Sequence, residues 1–270
     1  MSPAGPWFDS HCHVTADAFA EDRAQVIERA VAAGVQGFVA IGSGYGVPAN
    51  RRAVELARND PRVVATAGVH PHEAEELDDA GRALLETCLD APEVVGVGEC
   101  GLDYHYMNSA REVQREVFAE QVATARRRRL PVSIHVRGDE PDAFGEMLDI
   151  WEAEGRGEIE GVLHCYTGSL DFARRALRNN FYVSFSGILT FKRDRGLRDV
   201  AAALPLNRLM VETDAPLLAP EGHRGRRNEP VHVAVVGETL ARIQGKPVEE
   251  VAQATTNNAR TLFGIGGANA

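Results

Sequence analysis

The stretch WFDSHCHV, residues Trp7 to Val14, has the composition of a buried strand and ends in two histidines. Side chains two residues apart on a strand point to the same face of the sheet. We therefore expect His11 and His13 to converge on one point, with Asp9 on the same face, while Cys12 turns away. Such an ending is typical of either a metal site or a plain polar strand end, and the rest of the chain decides between them.

Seven further apolar runs follow the first, each separated from the next by an amphipathic segment with helical spacing. The runs are VQGFVAI (35–41), VVATAGV (63–69), VVGVGE (94–99), VSIHV (132–136), GVLHC (161–165), FYVSFS (181–186) and RLMVETD (208–214). Strands that alternate with helices predict parallel βαβ units. Eight units in about 250 residues is the size of a (β/α)8 barrel of the TIM type. A doubly wound open sheet is the rival architecture, and the count of eight favours the barrel.

The segments between the runs carry helix stop signals. EDRAQVIERAVAAG ends in Gly34, which suits a helix C-terminus, and the segment 109–129 is followed by Pro131. No linker, low-complexity tract or change in composition divides the chain. We therefore expect a single domain over residues 1–270.

Composition and charge limit the class of protein. The 270 residues are 44% hydrophobic and 25% charged, as in ordinary globular proteins, and the formal net charge is -10. That acidity argues against a protein that passively coats nucleic acid, but not against an enzyme that meets phosphates through metal ions. The four cysteines form no C-x-x-C pair and are expected to be reduced thiols. With neither a signal sequence nor an apolar run of membrane-spanning length, the sequence predicts a cytoplasmic protein.

Metal-ligating side chains gather at the carboxyl ends of the predicted strands, where the chemistry of a barrel lies. Glu99 and Asp214 stand at two of these ends, and seven of the nine histidines lie at or near them: His11, His13, His70, His72, His105, His135 and His164. A single histidine at a strand end is usually a solvated imidazole, but solvated imidazoles would not gather at one end of the strands. Imidazoles mixed with carboxylates suit Zn, Mn, Fe, Co or Ni, and Mg less well. The metal-site interpretation is therefore favoured.

These motifs together resemble the TatD family of metal-dependent hydrolases, within the amidohydrolase-like superfamily. The blocks, in order, are FDSHCHV, GVHPH, GECGLDYH, HVR, HCYTG, FSG, ETDAPLLAP and RGRRNEP, and the similarity continues into ATTNNARTLFG near the C-terminus. The resemblance implies a (β/α)8 barrel that holds two divalent cations per chain, with Zn, Mn or Mg as candidates. It assigns His11, His13 and Asp214 to the first cation, His135 and His164 to the second, and Glu99 to both.

The resemblance also implies hydrolysis of phosphodiester bonds, in particular those of DNA, and in some members 3′→5′ exonuclease activity. Two cations about 3.5–4 Å apart can supply a hydroxide nucleophile at neutral pH. Asp214 and Glu99 are the predicted catalytic residues, with Asp214 orienting the water and taking its proton. Glu212 is a candidate partner of a metal ligand or, equally, a buried charge paired with an arginine.

Other polar side chains near the same strand ends are candidate substrate contacts: His70, His72, Arg137, Tyr166, Arg224 and Asn228. Arg137 can bind a phosphate through two hydrogen bonds. His70 and His72 suit a leaving-group oxygen, a phosphate or an extra metal, although a structural turn would explain them too. RGRRN (224–228) follows the eighth strand, where barrels often bind phosphate, but Arg226 and Arg227 singly are better explained as solvated.

Four aromatic side chains lie near the motif blocks and are candidates for stacking on a terminal base: Tyr104, Tyr106, Tyr166 and Phe191. An acidic chain that touches few phosphates should bind DNA weakly and lose binding as salt rises. We expect a monomer that trims ends rather than one that tracks along a strand.

Two other functions remain open at this level. The same binuclear centre would serve hydrolysis of an amide, ester or lactone equally well, and only Arg137, the RGRRN loop and the resemblance favour phosphodiesters. A non-catalytic metal-binding or docking protein is the third possibility. It is disfavoured because such a scaffold need not keep Glu99 and Asp214.

Overall fold

The computed structural model describes residues 5–139, 142–193 and 196–266. Within them, eight strands are formed: β1 (Trp7–Cys12), β2 (Val35–Ile41), β3 (Val63–Ala67), β4 (Val94–Asp103), β5 (Val132–Arg137), β6 (Gly161–Leu163), β7 (Phe181–Phe185) and β8 (Leu209–Val211). The α-helices are α1 (Arg23–Ala32), α2 (Asn50–Asn59), α3 (Asp79–Leu89), α4 (Arg111–Arg128), α5 (Asp142–Gly155), α6 (Leu170–Arg178), α7 (Leu197–Ala203), α8 (Val233–Gln244) and α9 (Val248–Leu262). Every predicted strand is confirmed, with differences at the ends.

The strands form one sheet in the sequential order β1 to β8. The last strand also lies against the first, since the Ser10 hydroxyl donates to the Val211 carbonyl at 3.0 Å. Just after β8, the Asp214 N–H donates to the carbonyl of His11 in β1 at 3.0 Å. A doubly wound open sheet has neither a sequential strand order nor a return of its last strand to its first. The prediction of a (β/α)8 barrel is confirmed.

The internal contacts of the chain divide it into two compact units. The first unit comprises Met1–Val39, His164–Leu177 and Tyr182–Ala270, and the second comprises Ala40–Leu163 and Arg178–Phe181. Two of the boundaries fall inside β2 and β7, so no linker separates the units. The single domain over residues 1–270 stays a prediction.

Strand β1 packs against helix α8 within the first unit. The Trp7 side chain is wholly buried, and Gly237 of α8 faces it. A Cβ atom built at Gly237 would lie 2.1 Å from the Trp7 ring. Glycine inside a helix costs roughly 1 kcal/mol relative to alanine, and this close approach is what requires it here.

Replacing Gly237 by alanine should lower the free energy of unfolding by about 1–3 kcal/mol, the usual cost of overpacking a core. The added methyl group would force the indole or the helix to move. Chemical denaturation of the variant would measure the loss. Gly155→Ala in α5 is the matched control, because a Cβ there would meet its nearest atom, Ile159 Cγ1, at an ordinary 3.4 Å. Equal stability of the two variants would contradict the packing argument.

Strand β4, in the second unit, is longer than the sequence predicts. It continues to Asp103, four residues beyond the predicted end at Glu99. A bulge between Gly98 and Cys100 shifts the register, and residues 100–103 then pair with 134–137 of β5. At Gly101, with φ +143°, a Cβ atom would lie 1.8 Å from the His135 carbonyl oxygen, so only glycine allows this pairing. Glu99 is therefore a bulged residue inside the strand, and bulges re-aim side chains.

The helix ends agree with the predicted stop signals. Helix α1 ends at Ala32, and Gly34 adopts a left-handed φ of 96° two residues later. Helix α4 ends at Arg128 because Arg129 adopts the left-handed conformation, just before Pro131. None of the four cysteines, all within the described residues, takes part in a disulfide. Among the helices of the described residues, none has the length and apolar character needed to cross a membrane.

Candidate metal centre

Four side chains of the first unit meet beside the carboxyl ends of β1 and β8, and we call them the first histidine group: His11, His13, His164 and Asp214. The Nε2 atoms of His11 and His13 are 3.4 Å apart, which confirms that both rings share one face of the strand. His164, which the family resemblance assigns to the second cation, lies beside the predicted ligands of the first: its ring stacks on His11 with ring centres 3.9 Å apart. Asp214 Oδ1 lies 3.7 Å from His11 Nε2 and 3.5 Å from His13 Nε2. All four side chains are buried.

Asp214 is positioned by a backbone that leaves the strand ladder early. The prediction that the eighth strand runs to Asp214 is wrong, since β8 ends at Val211. The reason is the buried Asp9 carboxyl group, whose oxygens accept the Thr213 N–H at 2.9 Å and the Thr213 hydroxyl at 2.5 Å. Burial raises the pKa of Asp9 to about 8 against the opposing effect of these hydrogen bonds. Asp214 then turns into the left-handed region, with φ +55°.

The ionisation of Asp214 depends on its imidazole neighbours. Burial by itself would raise the pKa of this carboxyl group. The hydrogen bond from His13 and the nearby rings of His11 and His164 outweigh burial, and they hold the pKa below its ordinary value. Asp214 is therefore a carboxylate at neutral pH, as a metal ligand or a proton acceptor requires.

Glu212 lies beneath the first histidine group and orients one of its rings. Its Oε1 atom accepts the Cys165 N–H at 2.8 Å and lies 3.1 Å from His164 Nδ1. A proton on Nδ1 would put the lone pair of the His164 ring on Nε2, the form of imidazole that binds a metal. Of the two interpretations open from the sequence, the structure therefore favours the partner of a metal ligand. The other oxygen, Oε2, is buried and has no hydrogen-bond partner among the described residues.

Replacing Glu212 by glutamine should weaken cation binding at the first histidine group by about 10–100-fold, the usual cost of losing a carboxylate behind a ligating histidine. The amide could donate to His164 Nδ1 and so favour the wrong tautomer. Calorimetric titration of the metal-stripped protein with Zn²⁺ and with Mn²⁺ would measure the change. Glu238→Gln, at an exposed position of α8, is the control. Unchanged affinity in Glu212→Gln would rule out the orienting role.

The second unit contains a second cluster, the second histidine group: His70, Glu99 and His135. Glu99 is only 2% exposed. Its Oε1 atom lies 3.1 Å from His135 Nδ1 and 3.5 Å from His70 Nε2. His70 follows β3 and was considered from sequence as a substrate contact or the ligand of an extra metal, whereas the structure places it beside two predicted ligands.

Asp103, at the end of β4, holds this group in place and was missed in the sequence. Its Oδ2 atom lies 3.0 Å from Nε2 of both His135 and His72. Burial alone would raise the pKa of Asp103, but the hydrogen bonds from these two imidazoles and from the Tyr106 N–H lower it strongly. Spacing could not have found it, because the bulge at Glu99 breaks the regular alternation of side chains between that residue and Asp103.

The two groups have the donor sets that divalent cations require. His11, His164 and Asp214 offer ligand atoms that all lie within 4.8 Å of one another, and so do His70, Glu99 and His135. Two imidazoles and one carboxylate suit Zn²⁺ or Mn²⁺. Among the described residues, the buried Oε2 atom of Glu212 finds no hydrogen-bond partner, which is a further sign that the site awaits a group from outside the chain. Both groups fit a metal ion.

The remaining predicted site residues divide into exposed and buried ones. Arg137 is exposed, with its Cζ atom 4.6 Å from the centre of the Tyr106 ring. Arg224 is exposed and stands over Phe191 at 4.4 Å. Both guanidinium groups are thus accessible to a ligand.

Tyr166 and Asn228 are buried, and their polar atoms bind other parts of the chain. The Tyr166 hydroxyl donates to the Ser169 carbonyl at 2.6 Å. The Asn228 amide donates to the carbonyls of Thr213 at 2.9 Å and Leu217 at 2.6 Å. These contacts favour structural roles for Tyr166 and Asn228 over contact with substrate.

Arg227 is held by neighbouring acids rather than left to solvent. Its guanidinium donates to both oxygens of Asp22, at 2.8 and 2.7 Å, and to Glu229 at 3.0 Å. The hydrogen bonds that Asp22 accepts from Arg227 and from Arg29 lower its pKa to about 2. Arg227 therefore anchors the loop after β8 to the segment before α1.

The chain is similar to known proteins along almost its whole length. The model of the family described as TatD related DNase matches residues 8–264. The uncharacterized metal-dependent hydrolase YabD of Bacillus subtilis is 38% identical over 96% of this chain and 99% of its own length. The 3′-5′ ssDNA/RNA exonuclease TatD of Enterobacter lignolyticus is 36% identical, with the same coverage. The crystal structure of YJJV, a TatD homologue from Escherichia coli, superposes with a TM-score of 0.89 at 32% identity, covering 96% of this chain and 98% of that one.

Proposed function

The chain belongs to the family of TatD-related DNases, and from this premise we propose that it is a metal-dependent phosphodiesterase that removes nucleotides from the 3′ ends of single-stranded nucleic acid. The observation that carries the proposal is the pair of histidine groups, each with a donor set for a divalent cation. The choice of substrate is supported by the relative from Enterobacter lignolyticus, which is named for 3′-5′ exonuclease activity on single-stranded DNA and RNA.

We propose one cation for each histidine group, with Zn²⁺, Mn²⁺ or Mg²⁺ as candidates. When bound, the cations supply a water nucleophile at neutral pH and stabilise charge on the phosphoryl oxygens. His11, His13, His164 and Asp214 are the proposed ligands in the first group, and His70, Glu99 and His135 those in the second. That Glu99 also serves the first cation stays a prediction from the family resemblance.

The protein's own side chains perform the remaining steps. Asp214, ionised at neutral pH, orients the attacking water and accepts its proton at a carboxylate oxygen. The water oxygen forms a bond to phosphorus, and the bond from phosphorus to the leaving-group oxygen breaks. Solvent then protonates the leaving-group oxygen. The exposed guanidinium of Arg137 binds a phosphate of the substrate with two parallel hydrogen bonds. Arg224, on the loop after β8, is proposed as a second phosphate contact.

The net charge of the protein predicts how strongly it binds nucleic acid and how binding depends on salt. With a net charge of -10, the chain relies on a few cationic contacts rather than on a broad basic surface. Binding should therefore be weak and should fall as salt rises, with a shallow dependence that reflects few neutralised phosphates. Trimming of ends requires no stronger association.

Cleavage of labelled oligonucleotides tests this proposal. Metal-stripped protein would be given Mg²⁺, Mn²⁺ or Zn²⁺ separately, together with single- or double-stranded DNA and with RNA of the same sequence. A 5′ label should yield a ladder of shortened products, whereas a 3′ label should be released as a mononucleotide. A panel of amide, ester and lactone substrates runs in parallel. Turnover confined to that panel, with no phosphodiester cleaved under any metal, would overturn the proposal in favour of carbonyl hydrolysis.

A further inference from the structure

An exposed aromatic side chain stands next to the second histidine group without any part in it. Tyr106 follows β4 and is 54% exposed, and Met107 beside it is 45% exposed. Single exposed hydrophobic residues are common and carry no meaning alone. Tyr106 differs because its backbone is fixed, since the N–H groups of His105 and Tyr106 donate to Asp103 Oδ1 at 2.9 and 2.8 Å.

Asp103 ties this aromatic residue to the second histidine group. Its other oxygen, Oδ2, lies 3.0 Å from Nε2 of His135 and of His72. The His72 ring stands edge-on to the Tyr106 ring, with centres 5.6 Å apart, and meets the His70 ring at 4.4 Å. Tyr106 is therefore one imidazole away from the proposed metal ligands, and one carboxylate sets the position of both.

A positively charged side chain also contacts the Tyr106 ring. The Arg137 guanidinium lies over Tyr106, with Cζ 4.6 Å from the ring centre. Arg137 is itself exposed, so its guanidinium is accessible to a phosphate from solvent. With the guanidinium in place the tyrosine is still 54% exposed, so ring surface remains for a second planar group.

This combination matches the chemistry of a nucleotide. Bases stack on aromatic side chains without sequence preference, and a guanidinium binds a phosphate through two hydrogen bonds. We propose that Tyr106 and Arg137 form the subsite for the 3′-terminal nucleotide, with its base stacked on Tyr106 and a phosphate held by Arg137. This assignment rests on the proposed nuclease function and adds to it the residue that recognises the base.

The test compares a natural end with an end that has no base. Three 5′-fluorescein oligonucleotides are used: one natural, one with an abasic 3′-terminal residue and one with an abasic 5′-terminal residue. Dissociation constants are measured by anisotropy on metal-stripped protein at low salt, and kcat/KM is measured with the activating metal. For the wild type, removal of the 3′ base should weaken binding by about 5- to 150-fold, the worth of one stacked base. Removal of the 5′ base should change nothing.

Substitutions of Tyr106, measured on the same oligonucleotides, complete the test. Tyr106→Ala should lose the same factor on the natural end and nothing further on the 3′-abasic end. Tyr106→Phe, which keeps the aromatic face, should recover most of the affinity that Tyr106→Ala loses. If Tyr106→Ala lost equal binding affinity for the natural and the 3′-abasic oligonucleotide, the subsite would be overturned, while the nuclease function would still stand. Failure of the wild type to cleave any phosphodiester would instead overturn the proposed function, and the subsite with it.

Discussion

Replacing Glu99 by glutamine should lower turnover by more than about 100-fold and release cation from the second histidine group. Glu99 is 2% exposed and is the carboxylate among the three proposed ligands of that group. A neutral amide of the same shape removes the negative charge that offsets the cation. Loss of a residue that only hydrogen-bonds a metal ligand typically costs 10–100-fold in activity, and loss of a ligand itself should cost more. Turnover of labelled oligonucleotide and the metal content of dialysed protein would be measured together.

The number of cations lost in Glu99→Gln separates two roles for this residue. Loss of one cation per chain would mean that Glu99 serves the second histidine group alone. Loss of both would support the shared role that the family resemblance implies. Glu120→Gln, at an exposed carboxylate of α4 paired with Arg82, is the control for the substitution itself. Normal metal content with normal turnover would contradict any ligand role.

Replacing Asp214 by asparagine should reduce turnover by about 10²- to 10⁴-fold, the usual contribution of a positioned proton acceptor. The buried carboxylate stays ionised because the imidazoles of His11, His13 and His164 outweigh the effect of burial on its pKa. Asparagine keeps the shape but accepts no proton at neutral pH. Single-turnover rates at saturating protein would report the loss without the contribution of weak substrate binding.

The controls for Asp214→Asn address the fold and the metal separately. Asp199→Asn changes an exposed acid of α7 in the same unit and should leave the rate unchanged. Thermal unfolding and metal content of Asp214→Asn show whether the lost rate reflects unfolding or loss of a cation. Near-normal turnover with intact metal would mean that another group accepts the proton.

Much of the fold could be predicted because its signals are local. An apolar run such as 35–41 is recognisable from its own residues, and the predicted bounds of this strand match β2. Gly34 and Pro131 mark helix ends through their own backbone preferences. The end of β4 could not be found in this way. Its extension to Asp103 depends on the bulge at Glu99 and on pairing with β5, some thirty residues away.

The chemical character of the site could be predicted, but not how its members meet. Even spacing along β1 brings His11 and His13 together, as the alternation of a strand requires. The grouping of His70 with Glu99 and His135 has no counterpart in spacing, since it joins residues of β4 and β5 with one that follows β3. The burial of Tyr166 and Asn228 could not be predicted from the sequence either, because it depends on the other segments that cover each residue.

Local sequence patterns predict the number and order of the strands, the ends of α1 and α4, and the kinds of ligand that stand near the strand ends. Periodicity and turn preferences act over a few residues, so the order of residues alone reveals them. Only the tertiary structure decided that Glu212 orients His164, that Asp103 joins His72 to His135, and that Asp9 turns Thr213 out of β8. These hydrogen bonds join residues 31 to 204 positions apart. Such partners are chosen by pairing of the strands, to which every part of the chain contributes.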